Sequence, residues 1–260
     1  MARGEKNKKQ SLDINYSLLV TGHSPLNSPL ATGHSPLNSP LATGHSPLNL
    51  PSSTVFGKRI SKQKFYDNLN VTAQLKRVFV DQINQIIWQN KIAPATINIA
   101  AGEIVTEIEV IAIRLNQREL DKRVMPLIDK EIPYHILFLL EYDGEMQAWI
   151  GYKEQAKSSA FKPGRYYHTE WLVPEALNLR IDGLNMDKIY ENFIRQIAGE
   201  RFDNDTDSEI KEAISRDERR QKLAKEIAAL EKKVRREKQF NRQVELNTKL
   251  KTLKEELRLL

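Results

Sequence analysis

Four carboxylates and a lysine stand where a metal-dependent phosphodiester hydrolase could use them. Glu107 and Glu109 open an apolar segment, Asp121 follows it, Glu141 closes the next one, and Lys153 lies at the end of a third. Nucleases of the PD-(D/E)xK type set two carboxylates and a lysine on adjacent strands, where they hold a divalent ion and activate water. The residue types are present but the triplet is not. No Asp/Glu-x-Lys falls between Met146 and Tyr152, and Gly151 stands two positions before Lys153. The nuclease reading takes Glu107, Glu109, Asp121 and Glu141 as its catalytic set and Mg²⁺ as its cofactor. The plainer reading treats them as solvated strand ends and turn formers, with no cofactor, no metal site and no assigned catalytic residue. His168 and Glu170 are two apart and would share a strand face, as an acid–base pair or, more simply, a hydrogen bond at a sheet edge. Trp88, Trp149, Trp171, Tyr166 and Tyr167 could stack on bases, although rings at this frequency more often pack a core. Gly-x-Ser-x-Gly, a Walker loop and His-Glu-x-x-His are all missing.

A second chemistry is electrostatic. Lys232, Lys233, Arg235, Arg236, Lys238 and Arg242 crowd one short stretch, opposed within it by Glu237 alone. The formal net charge of +6 is unevenly placed: residues 216–260 carry fifteen Lys/Arg against eight Asp/Glu, while residues 58–215 are mildly acidic. Clustered cations neutralise phosphates, so nucleic-acid binding is expected there if anywhere. A solvated, salt-bridge-laced surface is the competing reading.

The elements that must present these residues are partly legible. Leu223, Ile227, Leu230 and Val234 form an apolar stripe, mirrored about Phe240 by Leu246, Leu250, Leu253 and Leu257. Such a mirror suits two antiparallel helices joined at Lys238–Arg242. With no Gly or Pro after Arg201, a single long helix in a coiled-coil dimer is the alternative. Upstream, the periodicity predicts helices over 61–69 and 72–92, the second capped by Thr72 and ended by Pro94. Strands are predicted over 96–100, 107–115, 135–142, 145–152, 166–172 and 177–181, with a tight turn at Asp143-Gly144. Short helices are predicted over 119–125, stopped or kinked at Pro126, and over 187–198, with Gly199 as its cap. Strands alternating with helices, plus a hairpin, make an α/β fold: a mixed sheet with flanking helices, followed by a basic C-terminal helical hairpin or coiled coil.

Within residues 1–53, Thr-Gly-His-Ser-Pro-Leu-Asn-Ser-Pro-Leu-Ala from Thr21 recurs with a period of eleven from Thr32, and most of it recurs from Thr43. Two prolines per unit exclude long helices and sheets, so a disordered tail is expected. His23, His34 and His45 recur within it, but single histidines on a flexible chain lose too much entropy to gather a metal. The expected organisation is a tail over 1–53, an α/β domain over 54–200, an acidic linker over 201–209 and a helical arm over 210–260. Cysteine is absent and no apolar run approaches the length of a membrane span. A cytoplasmic protein without a membrane partner is therefore expected.

Several segments considered together resemble a known family: Phe65-Tyr-Asp-Asn-Leu69, Thr96-Ile-Asn-Ile-Ala100, Ile132-Pro-Tyr-His-Ile-Leu-Phe-Leu-Leu-Glu141, His168-Thr-Glu-Trp171 and Gly183 through Ile197. Their order and spacing resemble the bacterial domain-of-unknown-function family 4391, over about residues 50–260. The resemblance implies gene neighbourhoods with DNA methyltransferases and helicases, in restriction-like or antiphage clusters. It carries no catalytic residues. The expected function is thus an accessory, non-enzymatic subunit of a DNA-processing or defence complex. It would contact DNA or a helicase or methyltransferase subunit through the basic arm. A divergent nuclease and a coiled-coil assembly protein, the latter a homodimer, are the alternatives.

Overall fold

Six strands make one sheet in chain order: β1 (Val55–Ile60), β2 (Ile83–Ile92), β3 (Ile108–Leu115), β4 (His135–Tyr142), β5 (Glu145–Glu154) and β6 (Lys162–His168). Every neighbouring pair is antiparallel except β3 and β4, which are parallel. A parallel pair needs a crossover, and the helix Val124–Glu131 lies within it. The mixed sheet with flanking helices is the expected α/β class. The computed structural model describes residues 48, 50–68, 71–154, 162–202 and 209–260. Its two compact units divide between Ile197 and Ala198.

The helices are α1 (Lys62–Asn68), α2 (Ala73–Asp81), the single turn α3 (Pro94–Ile97), α4 (Val124–Glu131), α5 (Met186–Ala198), α6 (Ile210–Arg236) and α7 (Phe240–Leu259). One sheet face carries Ile86, Trp88, Ile111, Ile113, Ile136, Phe138 and Leu140, which pack with Phe65, Leu75, Phe79, Val124 and Ile128 from the first helices and α4. The opposite face presents Val110, Leu137 and Ile150 in register, all fully buried. Tyr190 of α5 meets it edge-on through the His135 ring, centroids 4.4 Å apart. Both faces are covered, which is why β3 and β4 read as continuous apolar runs rather than alternating ones.

Several sequence expectations are corrected. The helix expected over 72–92 stops at Asp81, and residues 83–92 form β2. Thr72 does cap α2, its side chain accepting from Leu75 N at 3.3 Å. From Ile86 onward burial in β2 alternates residue by residue, the strand period. Residues 94–97 make a helical turn instead of a strand, because Thr96 Oγ1 accepts from Ala93 N at 2.9 Å and closes the chain on itself. The helix expected over 119–125 is displaced to Val124–Glu131, with Pro126 in its first turn, where its missing N–H costs nothing. No strand forms over 177–181. The Asp143-Gly144 turn is as expected, with φ of 48° and 79° matching a type I′ hairpin. Gly199, at φ 55°, follows α5 in the left-handed conformation expected of a C-terminal cap.

Residues before 54 also contribute to the folded unit. Leu48 and Leu50 are buried, Ser52–Thr54 form a turn of 3₁₀ helix, and Thr54 Oγ1 accepts from Asn90 Nδ2 at 2.9 Å. The last copy of the proline-containing repeat thus supplies a buried leucine. Its earlier copies, with His23, His34 and His45, lie outside the described residues, as does most of the expected acidic linker.

Candidate nucleic-acid interface

α6 and α7 fold back on each other as an antiparallel hairpin. Arg219 pairs with Glu256 at 2.7 Å, Lys254 with Glu231 at 2.8 Å, and Arg220 Nη2 donates to the Leu260 carbonyl at 2.7 Å. Near the closed end Gln243 Nε2 donates to the Val234 carbonyl at 3.4 Å. The sequence midpoints of these pairs fall close to position 240, as antiparallel packing of the mirrored stripes requires. Leu223, Ile227 and Leu230 are buried, while Val234 and the stripe leucines of α7, Leu246, Leu250, Leu253 and Leu257, are half-buried. A two-helix layer can cover only one side of each stripe.

The turn is three residues, Glu237 to Gln239, tighter than the expected Lys238–Arg242 connection. It contains neither Gly nor Pro. Glu237 takes the structural role: its Oε1 accepts from the backbone N–H of Lys238 and of Gln239, both at 3.0 Å. The one carboxylate among the tip cations is thereby committed to the backbone.

Lys232, Lys233, Arg235 and Arg236 close α6, Lys238 lies in the turn, and Arg242 is in the first turn of α7; all six are exposed. At 100° and 1.5 Å per residue, the four on α6 fan over an arc of roughly 160° opposite Val234, within about 6 Å of the helix end. Arg235 helps Lys254, the larger influence, hold the Glu231 carboxyl below its ordinary range. Among the described residues none of the six forms a salt bridge. Cations in a last helical turn favour the helix dipole, which explains two or three of them structurally. Six exceed that need and repel one another unless an anion approaches.

The carboxylates offered for catalysis are not gathered. Glu109 lies opposite Ile136 near the start of the parallel β3–β4 pair, and Glu141 lies opposite Arg114 near its end. Five strand steps separate them, roughly 16 Å. Asp121 is engaged with Arg123, 2.6 Å away, whose hydrogen bonds hold its pKa low. Glu141 pairs with Arg114 at 2.9 Å. Only Glu107 and Glu109 are neighbours. No group of three or more His, Asp or Glu side chains suited to a metal occurs among the described residues.

Glu109 is a buried acid that accepts from Trp88 Nε1 at 2.6 Å. Burial first, then the Glu107 carboxylate beside it, push its pKa up to about 8. Lys91 balances Glu107 at 2.8 Å. Lys153 is buried as well, paired with Asp129 of α4 at 2.7 Å and donating to the Tyr134 carbonyl. The Tyr166 hydroxyl donates to Asp129 Oδ2 at 2.7 Å. Desolvation raises the Asp129 pKa and lowers that of Lys153, so each side chain is drawn toward its neutral form. His135 is likewise driven down to about 3 by burial, then by the Lys153 charge. No local pattern marks Asp129, whose partner Lys153 is 24 positions away and whose helix lies beyond the 119–125 span that the sequence suggests.

The aromatic candidates are mostly packing. Trp88 and Tyr167 are buried, and Trp149 stacks on His168 with centroids 4.2 Å apart. Trp171 lies under Arg118 at 5.4 Å. His168 ends β6 with Nδ1 2.9 Å from the Thr169 carbonyl oxygen, and Glu170 falls beyond the strand, so the two do not share its face.

A mixed-sheet α/β unit followed by a cationic antiparallel helical hairpin is the class these features define. Residues 48–257 match the family described as Domain of unknown function (DUF4391), and the chain belongs to that family. The match begins at Leu48, which is itself buried. No curated protein and no solved structure matches the chain. No helix among the described residues is long and apolar enough to cross a membrane.

Proposed function

We propose that this protein is a non-enzymatic accessory subunit of a DNA-processing complex, and that the closed end of its α6–α7 hairpin grips nucleic-acid phosphates. The observation that carries the reading is the convergence of six exposed cations on a turn whose single carboxylate is occupied by backbone N–H groups. Phosphate relieves their mutual repulsion. In this reading the α/β unit docks on a larger partner, a helicase or DNA methyltransferase subunit of the restriction or antiphage kind that the family resemblance suggests, in the cytoplasm.

The test is a quadruple substitution, K232A/K233A/R235A/R236A. Alanine is the best helix former, so the exposed face of α6 keeps its helix. Duplex-DNA affinity should fall, and the slope of log K against log salt should flatten by up to about 3.6, from roughly 0.9 per phosphate contact. An unchanged affinity and slope would remove the reading. A second reading, self-assembly through the hairpin, draws on the half-buried leucines of α7. It predicts a dimer that becomes a monomer when residues 216–260 are deleted.

A further inference from the structure

We infer that Phe240 makes the hairpin tip a reader of unpaired bases, so that the preferred ligand is single-stranded or locally unpaired nucleic acid. This rests on the phosphate-gripping role of the tip. Phe240 is the first residue of α7 and is 74 % exposed, whereas the apolar positions that pack the hairpin are buried or half-buried. No ring–ring or cation–π contact involves it among the described residues. It stands between Arg236 and Lys238 on one side and Arg242 on the other, all exposed.

A lone exposed phenylalanine is unremarkable on an ordinary surface. At the apex of a cationic turn it is placed differently, because phosphates drawn to the cations bring their bases to the ring. An aromatic side chain gains nothing from a phosphate, but it stacks on the face of any base regardless of sequence. In a duplex those faces are hidden within the stack and must be unstacked first. The combination therefore favours strands whose bases are already free.

The full-length chain is titrated at several salt concentrations with a labelled 20-nucleotide DNA strand, the duplex of the same sequence, and the matching RNA strand. Single strands should bind at least about fivefold tighter than duplex, the scale of one stacked base. Phe240→Ala should lower single-strand affinity about fivefold to tenfold and leave duplex affinity and salt slope within about twofold. Phe240→Trp should restore the preference and add an indole signal quenched by single strands. Tighter binding of DNA or of RNA identifies which strand the same surface prefers. Equal affinity for strand and duplex overturns the inference while leaving phosphate gripping intact. So does an alanine variant that weakens every ligand equally. Binding to none of the three ligands overturns both readings.

Discussion

Replacing Glu109 by glutamine should convert a pH-dependent fold into a less dependent one. The Glu109 carboxyl is raised from an ordinary 4.5 to about 8. A group whose folded pKa lies above its unfolded one keeps more protons in the native state. Its contribution to stability is complete below the unfolded pKa and is lost as pH rises through the folded one. The window here runs from about pH 4.5 to about pH 8. At 1.36 kcal/mol per unit, the loss is roughly 3 kcal/mol at pH 7 and about 5 kcal/mol above pH 8. That is a large share of an ordinary domain's stability. Glutamine reproduces the protonated acid: its oxygen can accept from Trp88 Nε1 and its amide can donate to Glu107. Glu109→Gln should match the wild type near pH 5 and exceed it by a few kcal/mol at pH 8.

His135 acts in the opposite sense. Its pKa falls to about 3, so the unfolded chain binds the extra proton and stability rises with pH up to about 6.5. The wild-type curve should therefore be highest between these limbs, and the difference between wild type and variant isolates Glu109. Urea unfolding at pH 5, 6, 7, 8 and 9, followed by tryptophan fluorescence, suits the question. All three tryptophans belong to the α/β unit, and Trp88 is bonded to the substituted residue. Parallel stability curves for the two proteins from pH 5 to pH 9 would refute the argument, since Glu109 would then ionise alike folded and unfolded.

Two other perturbations test the core. Lys153→Met strands the buried Asp129 carboxylate and should cost about 3–5 kcal/mol, while adding Asp129→Asn, which keeps an acceptor for Tyr166, should recover most of the loss; additive urea ΔΔG values would contradict the pairing. Gly102→Ala would place a Cβ 2.3 Å from Asp187 Oδ1, the carboxylate that accepts the backbone N–H groups of Glu103, Ile104 and Val105 at 2.7, 3.1 and 2.7 Å. A loss of about 1–3 kcal/mol is expected by thermal melting, shrinking in an Asp187→Ala background, and an equal loss in both backgrounds would show that the two side chains do not meet.

The parts legible in the sequence are those whose cause is local. β3, β4 and β5 announce themselves by apolar runs and an Asp-Gly turn, and α5 by its amphipathic spacing. β2 was hidden because Ile83, Ile86 and Ile87 continue the helical spacing begun by Leu75, Val78 and Phe79. Only its place between β1 and β3 supplies the hydrogen bonds that make it a strand. Asp129–Lys153 and Glu109–Trp88 join residues more than twenty positions apart, and no local pattern encodes such a bond. The arm was legible for the opposite reason. In an unbroken helix Val234 and Leu246 are twelve residues apart, so the two stripes would point about 120° away from each other. No straight partner could cover both. A break between them lets each stripe cover the other, and the Glu237 carboxylate, by accepting two turn N–H groups, provides that break without glycine or proline. The same fold-back that buries the leucines leaves the intervening cations at the apex, so the electrostatic feature follows from the packing of the apolar one.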